Sequence, residues 1–265
     1  MSSACYVYAI VSRDAPVPAS GGSAAAELAL VPWRELAALT GPTEEDGAPL
    51  TVENVLRHEA VVEAARRQGP ALPVRFGTVF RDAESVASAL AERYEPLVAD
   101  LERLGDKVEL SLTALWATPP TGDAPPATPR EEGTPAGRGA GARYLYARAA
   151  ETRREDAVRE RAEAAAREVD RSLGRLAIET RVSLLPTPRV AVRTAYLLDS
   201  AGVGAFQAAF EEMRRTRGDL RLLLTGPWPP YSFVRRSETE YGGTRDGRLE
   251  ALVQLLSDDM RGRQG

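Results

Sequence analysis

The stretch Leu222-Leu223-Leu224-Thr225-Gly226-Pro227-Trp228-Pro229-Pro230-Tyr231-Ser232-Phe233-Val234 limits what this chain can fold into more than any other. It opens as an apolar strand and continues with three prolines in four positions, which remove three backbone donors and hold φ at about −65°. Neither a helix nor the interior of a central strand tolerates that pattern, so the segment must be extended and stiff. Gly226 supplies the freedom to leave the strand, and Trp228, Tyr231 and Phe233 then sit on a backbone with little entropy left to lose. The stretch predicts a rigid corner that packs Trp228 and Tyr231, an aromatic surface presented to a partner, or both.

The residue inventory removes much chemistry. Lys107 is the only lysine, His58 the only histidine, Cys5 the only cysteine and Asn54 the only asparagine of 265 residues. One Cys and one His cannot build a four-ligand Cys/His zinc site, and a single cysteine forbids an internal disulfide. Lys107 follows Gly105-Asp106 at a turn rather than closing a phosphate loop or an apolar Schiff-base pocket. His58 lies on an apolar helical stripe without catalytic companions, which predicts a structural histidine, and Cys5 within a strand reads as a small buried hydrophobe. The expectation is no catalytic, cofactor or metal residues. A net charge of −4, from 38 acidic and 34 basic side chains, gives no electrostatic reason to expect nucleic acid. There is no apolar run of about 20 residues to cross a bilayer. The N-terminus places no basic residue ahead of its apolar part, so a cytoplasmic protein is expected.

Along the chain, residues 4–11 and 28–31 read as strands, the second ended by Pro32, with a short helical turn over 33–39. Thr51 caps a helix over 52–67 whose stripe is Val55, His58, Val62 and Ala65. Residues 72–80 read as a strand with a bend at Gly77, and Asp82 opens a helix that Pro96 kinks or divides. Residues 108–116 alternate as a strand. The prolines, glycines and threonines of 118–141 cannot bury a core. Beyond them come a strand over 143–148, a charged helix over 151–173, strands over 178–185 and 190–198, a helix over 203–215 and a strand over 220–225. The charged helix predicts a solvated face with intrahelical ion pairs. That order predicts an α+β fold of two domains, with a ferredoxin-like second (β-α-β-β-α-β) and the first a variant of it. The expected limits are 1–117 for the N-terminal domain, 118–142 for a Pro/Gly-rich linker or loop, 143–236 for the second domain and 237–265 for a tail. In the tail, Leu249, Leu252, Val253, Leu256 and Met260 mark an amphipathic helix.

Several segments together resemble the gas vesicle protein F/L family. They are Tyr6-Val7-Tyr8-Ala9-Ile10-Val11, Arg57-His58-Glu59-Ala60-Val61-Val62, Leu72-Pro73-Val74-Arg75-Phe76-Gly77-Thr78-Val79-Phe80, Ala195-Tyr196-Leu197-Leu198-Asp199 and, the most specific, Gly226 to Val234. The resemblance implies a cytoplasmic, vesicle-associated, non-enzymatic accessory protein or minor structural component. Its implied partners are the hydrophobic gas vesicle shell protein (GvpA-type) and other accessory proteins, met during nucleation and assembly. An apolar shell subunit aggregates before assembly unless a groove or sheet edge covers it. The long Pro/Gly linker and the Ala-rich helices depart from the family pattern.

The candidate contact or corner residues are therefore Gly226, Pro227, Trp228, Pro229, Pro230, Tyr231 and Phe233, with Arg75, Phe76, Phe80 and His58 as secondary candidates. Two other functions compete. A small-molecule enzyme built on carboxylates and arginines would need a pocket holding two carboxylates in unlike environments. A single-stranded nucleic-acid module would display the aromatic run Arg75 to Phe80 on a ferredoxin-like sheet, although the net charge of −4 and the scarcity of lysine count against it.

Overall fold

The computed structural model describes residues 4–18, 28–44, 49–118, 140–183 and 190–235. The chain divides into two compact units. One gathers the described residues up to Lys107 and those from Pro229 on, and the other runs from Val108 to Trp228.

The first unit is built on β1 (Ala4–Ser12), whose side chains are buried on both faces. It pairs antiparallel with β3 (Leu36–Thr43), which pairs with the edge strand β2 (Ala29–Trp33). The helical turn expected over 33–39 is absent. Leu36, Ala37, Ala38 and Leu39 are instead buried strand residues, because they fill the sheet between β2 and β1. The two-residue turn Arg34-Glu35 joins β2 to β3, with Arg34 at φ 53°. Pro32 stays inside β2 rather than ending it, since an edge strand leaves one row of donors unpaired.

Helix α1 (Val52–Gln68) starts where expected. Thr51 accepts a hydrogen bond from the Asn54 N–H at 3.2 Å, and Val55, His58, Val62 and Ala65 are buried. The expected strand over 72–80 is two short pieces, β4 (Ala71–Pro73) and β5 (Val79–Phe80), both paired to β1. The bend between them centres on Gly77, at φ 80°. The next helix is indeed divided, into α2 (Ala83–Glu92) and α3 (Tyr94–Leu104). The break falls at Arg93 rather than Pro96, which lies in the first turn of α3, where the missing N–H has no partner to lose. Three strands thus precede the first helix, where two were expected.

The second unit opens with β6 (Lys107–Trp116), which the expected limits placed in the first domain. It pairs antiparallel with β9 (Leu220–Trp228), 114 residues away at Ser111 and Thr225, and sits between β9 and β8 (Val190–Asp199), which in turn pairs with β7 (Glu179–Ser183). The expected strand over 143–148 is instead part of α4 (Ala140–Leu173), a helix of 34 residues. Its flanks are rich in alanine, arginine and glutamate, strong helix formers, and the strand position that Tyr-Leu-Tyr would take is filled by β6. Helix α5 (Val203–Thr216) completes the unit. Leu110, Leu112 and Trp116 of β6, Val192, Tyr196 and Leu198 of β8, Ala162 and Val169 of α4, and Phe206 and Phe210 of α5 form its core. The charged helix has the ion pairs expected, Arg148 to Glu151 at 2.9 Å and Arg167 to Glu163 at 3.7 Å. The expected linker over 118–142, for its greater part, and the amphipathic tail helix lie outside the described residues.

β9 runs on through Gly226-Pro227 to Trp228 as an edge strand of the described sheet, with a bulge opposite Glu109 to Ser111. The Gly226–Pro227 peptide is cis, and Gly226 has φ 115°. A Cβ there would lie 2.7 Å from the Glu109 carbonyl oxygen and 3.0 Å from Leu110 Cδ2. Gly226→Ala therefore combines a positive φ with a backbone clash, and chemical denaturation should show a loss of about 1–3 kcal/mol.

Candidate functional site

The Pro-rich stretch is divided between the units. Trp228 ends β9 opposite Glu109 and is 39% exposed, as is Leu223, opposite Thr113. Thr113 is one of the alternate residues of β6 that point away from Leu112 and Ala114, so Leu223 lies on the sheet face turned from the core, while Trp228 follows the bulge at Glu109 to Ser111. Trp228, expected to pack in a corner or to be presented to a partner, keeps 39% of its surface exposed. Pro227 is exposed as well, whereas Pro229 and Pro230 are buried.

From Pro229 the chain belongs to the first unit and is fastened there in several places. The Tyr231 hydroxyl donates to Glu59 Oε1 at 2.8 Å, and Phe233 is fully buried. Arg103 donates to the Phe233 carbonyl at 2.9 Å, and Arg93 donates to the Arg235 carbonyl. Asp100, only 1% exposed, accepts from the Arg235 N–H at 2.7 Å and forms ion pairs with Arg235 Nε at 3.2 Å and Arg103 Nη2 at 3.0 Å. The Tyr231 and Phe233 N–H groups bond to the Pro229 and Pro230 carbonyls at 2.8 and 3.1 Å. Stiffness at the prolines and this set of anchors hold residues 229–235 in one course.

Beside this strap lies an aromatic cluster around His58, which is 1% exposed. The Tyr8 ring stacks on its imidazole at 5.5 Å, Tyr6 and Phe76 meet it edge-on at 5.7 Å, and Tyr231 is 6.4 Å away. The Gly77 N–H donates to the Tyr6 hydroxyl at 2.9 Å, Tyr6 is 3.0 Å from His58 Nδ1, and His58 Nε2 is 2.9 Å from the Val74 carbonyl. A neutral imidazole protonated on Nε2 satisfies every member: Tyr6 donates to Nδ1 and Nε2–H donates to Val74. Burial drives the His58 pKa down to about 4 and the Tyr6 hydroxyl up to about 12, and it also raises the Glu59 carboxyl. The ring is therefore a neutral structural brace, as its place in the sequence predicts.

Of the secondary candidates, Phe76 joins this cluster. Arg75 is exposed, with its carbonyl capping Thr78, and Phe80 lies on β5 opposite Cys5. The run from Arg75 to Phe80 is broken by the Gly77 turn and is no flat aromatic strand for stacking bases. Cys5 is half-buried, not fully buried as expected. A groove of about 480 Å³ between α4 and α5 carries Glu168, Glu212, Arg171 and Arg217. Its carboxylates are partly exposed and salt-bridged, Glu168 to Arg217 and Glu212 to Arg215, each at 2.6 Å. That is not a pair of carboxylates in unlike environments.

Residues 4–235 match the gas vesicle synthesis protein GvpL/GvpF family. The chain belongs to this family. It is 30% identical over 200 residues to gas vesicle protein L of Streptomyces sp. (strain CB03234), covering 71% of each chain. It is 24% identical over 238 residues to gas vesicle protein F1 of Halobacterium salinarum, covering 88% of this chain and 94% of the relative. The fold is similar to the crystal structures of GvpF from Anabaena sp. PCC7120 (TM-score 0.65, 20% identity, 89% of this chain and 98% of that one) and from Microcystis aeruginosa (TM-score 0.67, 18%, 89% and 100%). The GvpL/GvpF family assignment gives the chain a gas vesicle role. Among the described residues no helix is long and apolar enough to cross a membrane, and no group of three His, Cys, Asp or Glu side chains could hold a metal ion.

In this GvpL/GvpF protein the sequence reading missed the anchors. Asp100 follows Leu97 by three and precedes Leu104 by four, so its place on the buried stripe was readable. Glu59 had no such signal, because its partner is 172 residues away.

Two outcomes follow. His58 is neutral in the folded chain and titrates near its ordinary value once unfolded, so the unfolded state takes up its proton first. Stability is fully present above about pH 6.5 and falls by up to about 3 kcal/mol as pH drops towards 4, and His58→Gln should flatten that slope in denaturant titrations. Asp100→Ala should cost about 1–3 kcal/mol and speed amide hydrogen exchange at residues 233–235 relative to β1.

Proposed function

We propose that this protein is a non-catalytic, cytoplasmic accessory protein or minor structural component of gas vesicles. It binds the apolar shell protein (GvpA-type) and other accessory proteins during nucleation and assembly. The observation that carries the binding part is the outer face of β9. At the edge of the described sheet β9 exposes Leu223 and Trp228, a combination that suits an aggregation-prone apolar partner. Gly226 and the prolines that follow hold Trp228 in place, so little entropy is lost when it is covered.

We also read the second unit as ferredoxin-like. The order β6-α4-β7-β8-α5-β9 and the sheet order β7-β8-β6-β9 support this reading. The carboxylate enzyme and the nucleic-acid module have no comparable support, given the salt-bridged groove and the inward-facing Phe76.

Co-expression with a GvpA-type shell protein, followed by pull-down, tests the proposal. Wild-type protein should capture it, and Trp228→Ala or Leu223→Asp should reduce capture at least about tenfold with the melting temperature unchanged within a few degrees. No capture by the wild type would refute shell-protein binding. Full capture by both variants would move the contact away from β9.

A further inference from the structure

The described sheet of the second unit ends in two edge strands, β9 and β7, and they are built differently. β9 carries Pro227, and the end strands of the first sheet, β2 and β4, carry Pro32 and Pro73. Proline withholds a ladder donor and so guards an edge against pairing with another chain. β7, Glu179-Thr180-Arg181-Val182-Ser183, contains neither proline nor glycine. Its apolar side chain is exposed as well: Val182 by 45%, and Ile178, just ahead of the strand with its N–H on the Leu197 carbonyl at 2.8 Å, by 54%.

The order of residues in β7 indicates what fits it. Two copies of one strand that meet antiparallel about a two-fold axis pair residue i with residue j of the other copy, and j with i. Residues opposite each other share a sheet face, so the axis must pass through a residue position and not between two. Centred on Glu179 it opposes two carboxylates, and centred on Arg181 two guanidiniums. Centred on Val182 it sets Arg181 against Ser183, with no carboxylate opposite. Centred on Thr180 it pairs Glu179 with the partner's Arg181 and Ile178 with the partner's Val182, so opposite charges meet opposite charges and apolar meets apolar. Within one strand Arg181 Nε lies 3.2 Å from Glu179 Oε1, and two such pairs brought together close a ring of four alternating charges.

We propose that β7 is a dimerisation edge, at which a second copy of this chain pairs antiparallel with the axis at Thr180. The two four-stranded sheets then join into one of eight strands, with β9 at both outer ends, away from the contact. One pair of five-residue strands is a small interface, so the dimer is weak, with a dissociation constant of about 10 µM.

Sedimentation velocity on the full chain tests this. Wild-type protein should be mostly dimeric at about 200 µM and mostly monomeric at about 1 µM. Glu179→Arg and Arg181→Glu should each weaken dimerisation at least about tenfold with the melting temperature unchanged within a few degrees. An equimolar mixture of the two variants restores opposite charges across the pair and should dimerise as the wild type does. In a Cys5→Ser background, Thr180→Cys should link two chains by a disulfide on mild oxidation at about 200 µM, a readout that does not depend on the charge variants. A wild type that stays monomeric at about 200 µM would overturn the proposal. So would single variants that dimerise like the wild type, a mixture that fails to regain the dimer, or a Thr180→Cys chain that stays unlinked. Assemblies that grow beyond the dimer with concentration would assign the contact to head-to-tail pairing of β7 with β9 and equally overturn it.

Discussion

Asp100 lies on the buried side of α3, and a carboxylate there needs partners. Those partners are Arg103, one turn away, and Arg235, which comes back to it across 135 residues. The first unit is therefore not finished when the chain leaves it at Lys107, and residues 229–235 supply groups it lacks. Phe233 adds a fully buried ring, and Tyr231 adds a hydroxyl for Glu59, whose carboxyl would otherwise be a largely buried acceptor beside Glu63. Because the unit closes around a distant segment, the stiffness of that segment matters. A flexible chain would lose about 1–2 kcal/mol of backbone entropy per residue on being fixed there, and proline has already surrendered part of it.

The same stretch serves the second unit in a different way. As an edge strand, β9 tolerates prolines that a central strand would not, and Gly226 allows the backbone to pass within contact distance of the Glu109 carbonyl. The result is a half-exposed tryptophan at the end of the strand, followed at once by prolines that are buried.

Much of the fold was legible where the signal is local. The Thr51 cap and the stripe Val55, His58, Val62, Ala65 identify α1, and Asp82 marks the start of α2. The failures share a cause. Leu36 to Leu39 are compatible with a helical turn until β1 and β2 flank them, and Tyr144-Leu145-Tyr146 are compatible with a strand until β6 occupies the sheet position. Secondary structure in both places is set by a neighbour many residues away, which outweighs propensities of a few tenths of a kcal/mol per residue.

The sequence by itself determined the chemistry excluded, through one lysine, one histidine and one cysteine. It also determined that the backbone is stiff at Pro227, Pro229 and Pro230, since the proline ring fixes φ wherever it is placed, but the extended course expected as far as Phe233 is replaced by a turn in which the Phe233 N–H bonds to the Pro230 carbonyl. The segments that resemble the gas vesicle family were likewise visible in it. Only the tertiary structure decided that β6 pairs with β9, that Trp228 keeps 39% of its surface exposed while Phe233 is buried, and that Asp100 and Glu59 hold the returning chain. Those outcomes rest on hydrogen bonds between residues more than 100 positions apart, and no local pattern records which distant donor will satisfy a buried acceptor.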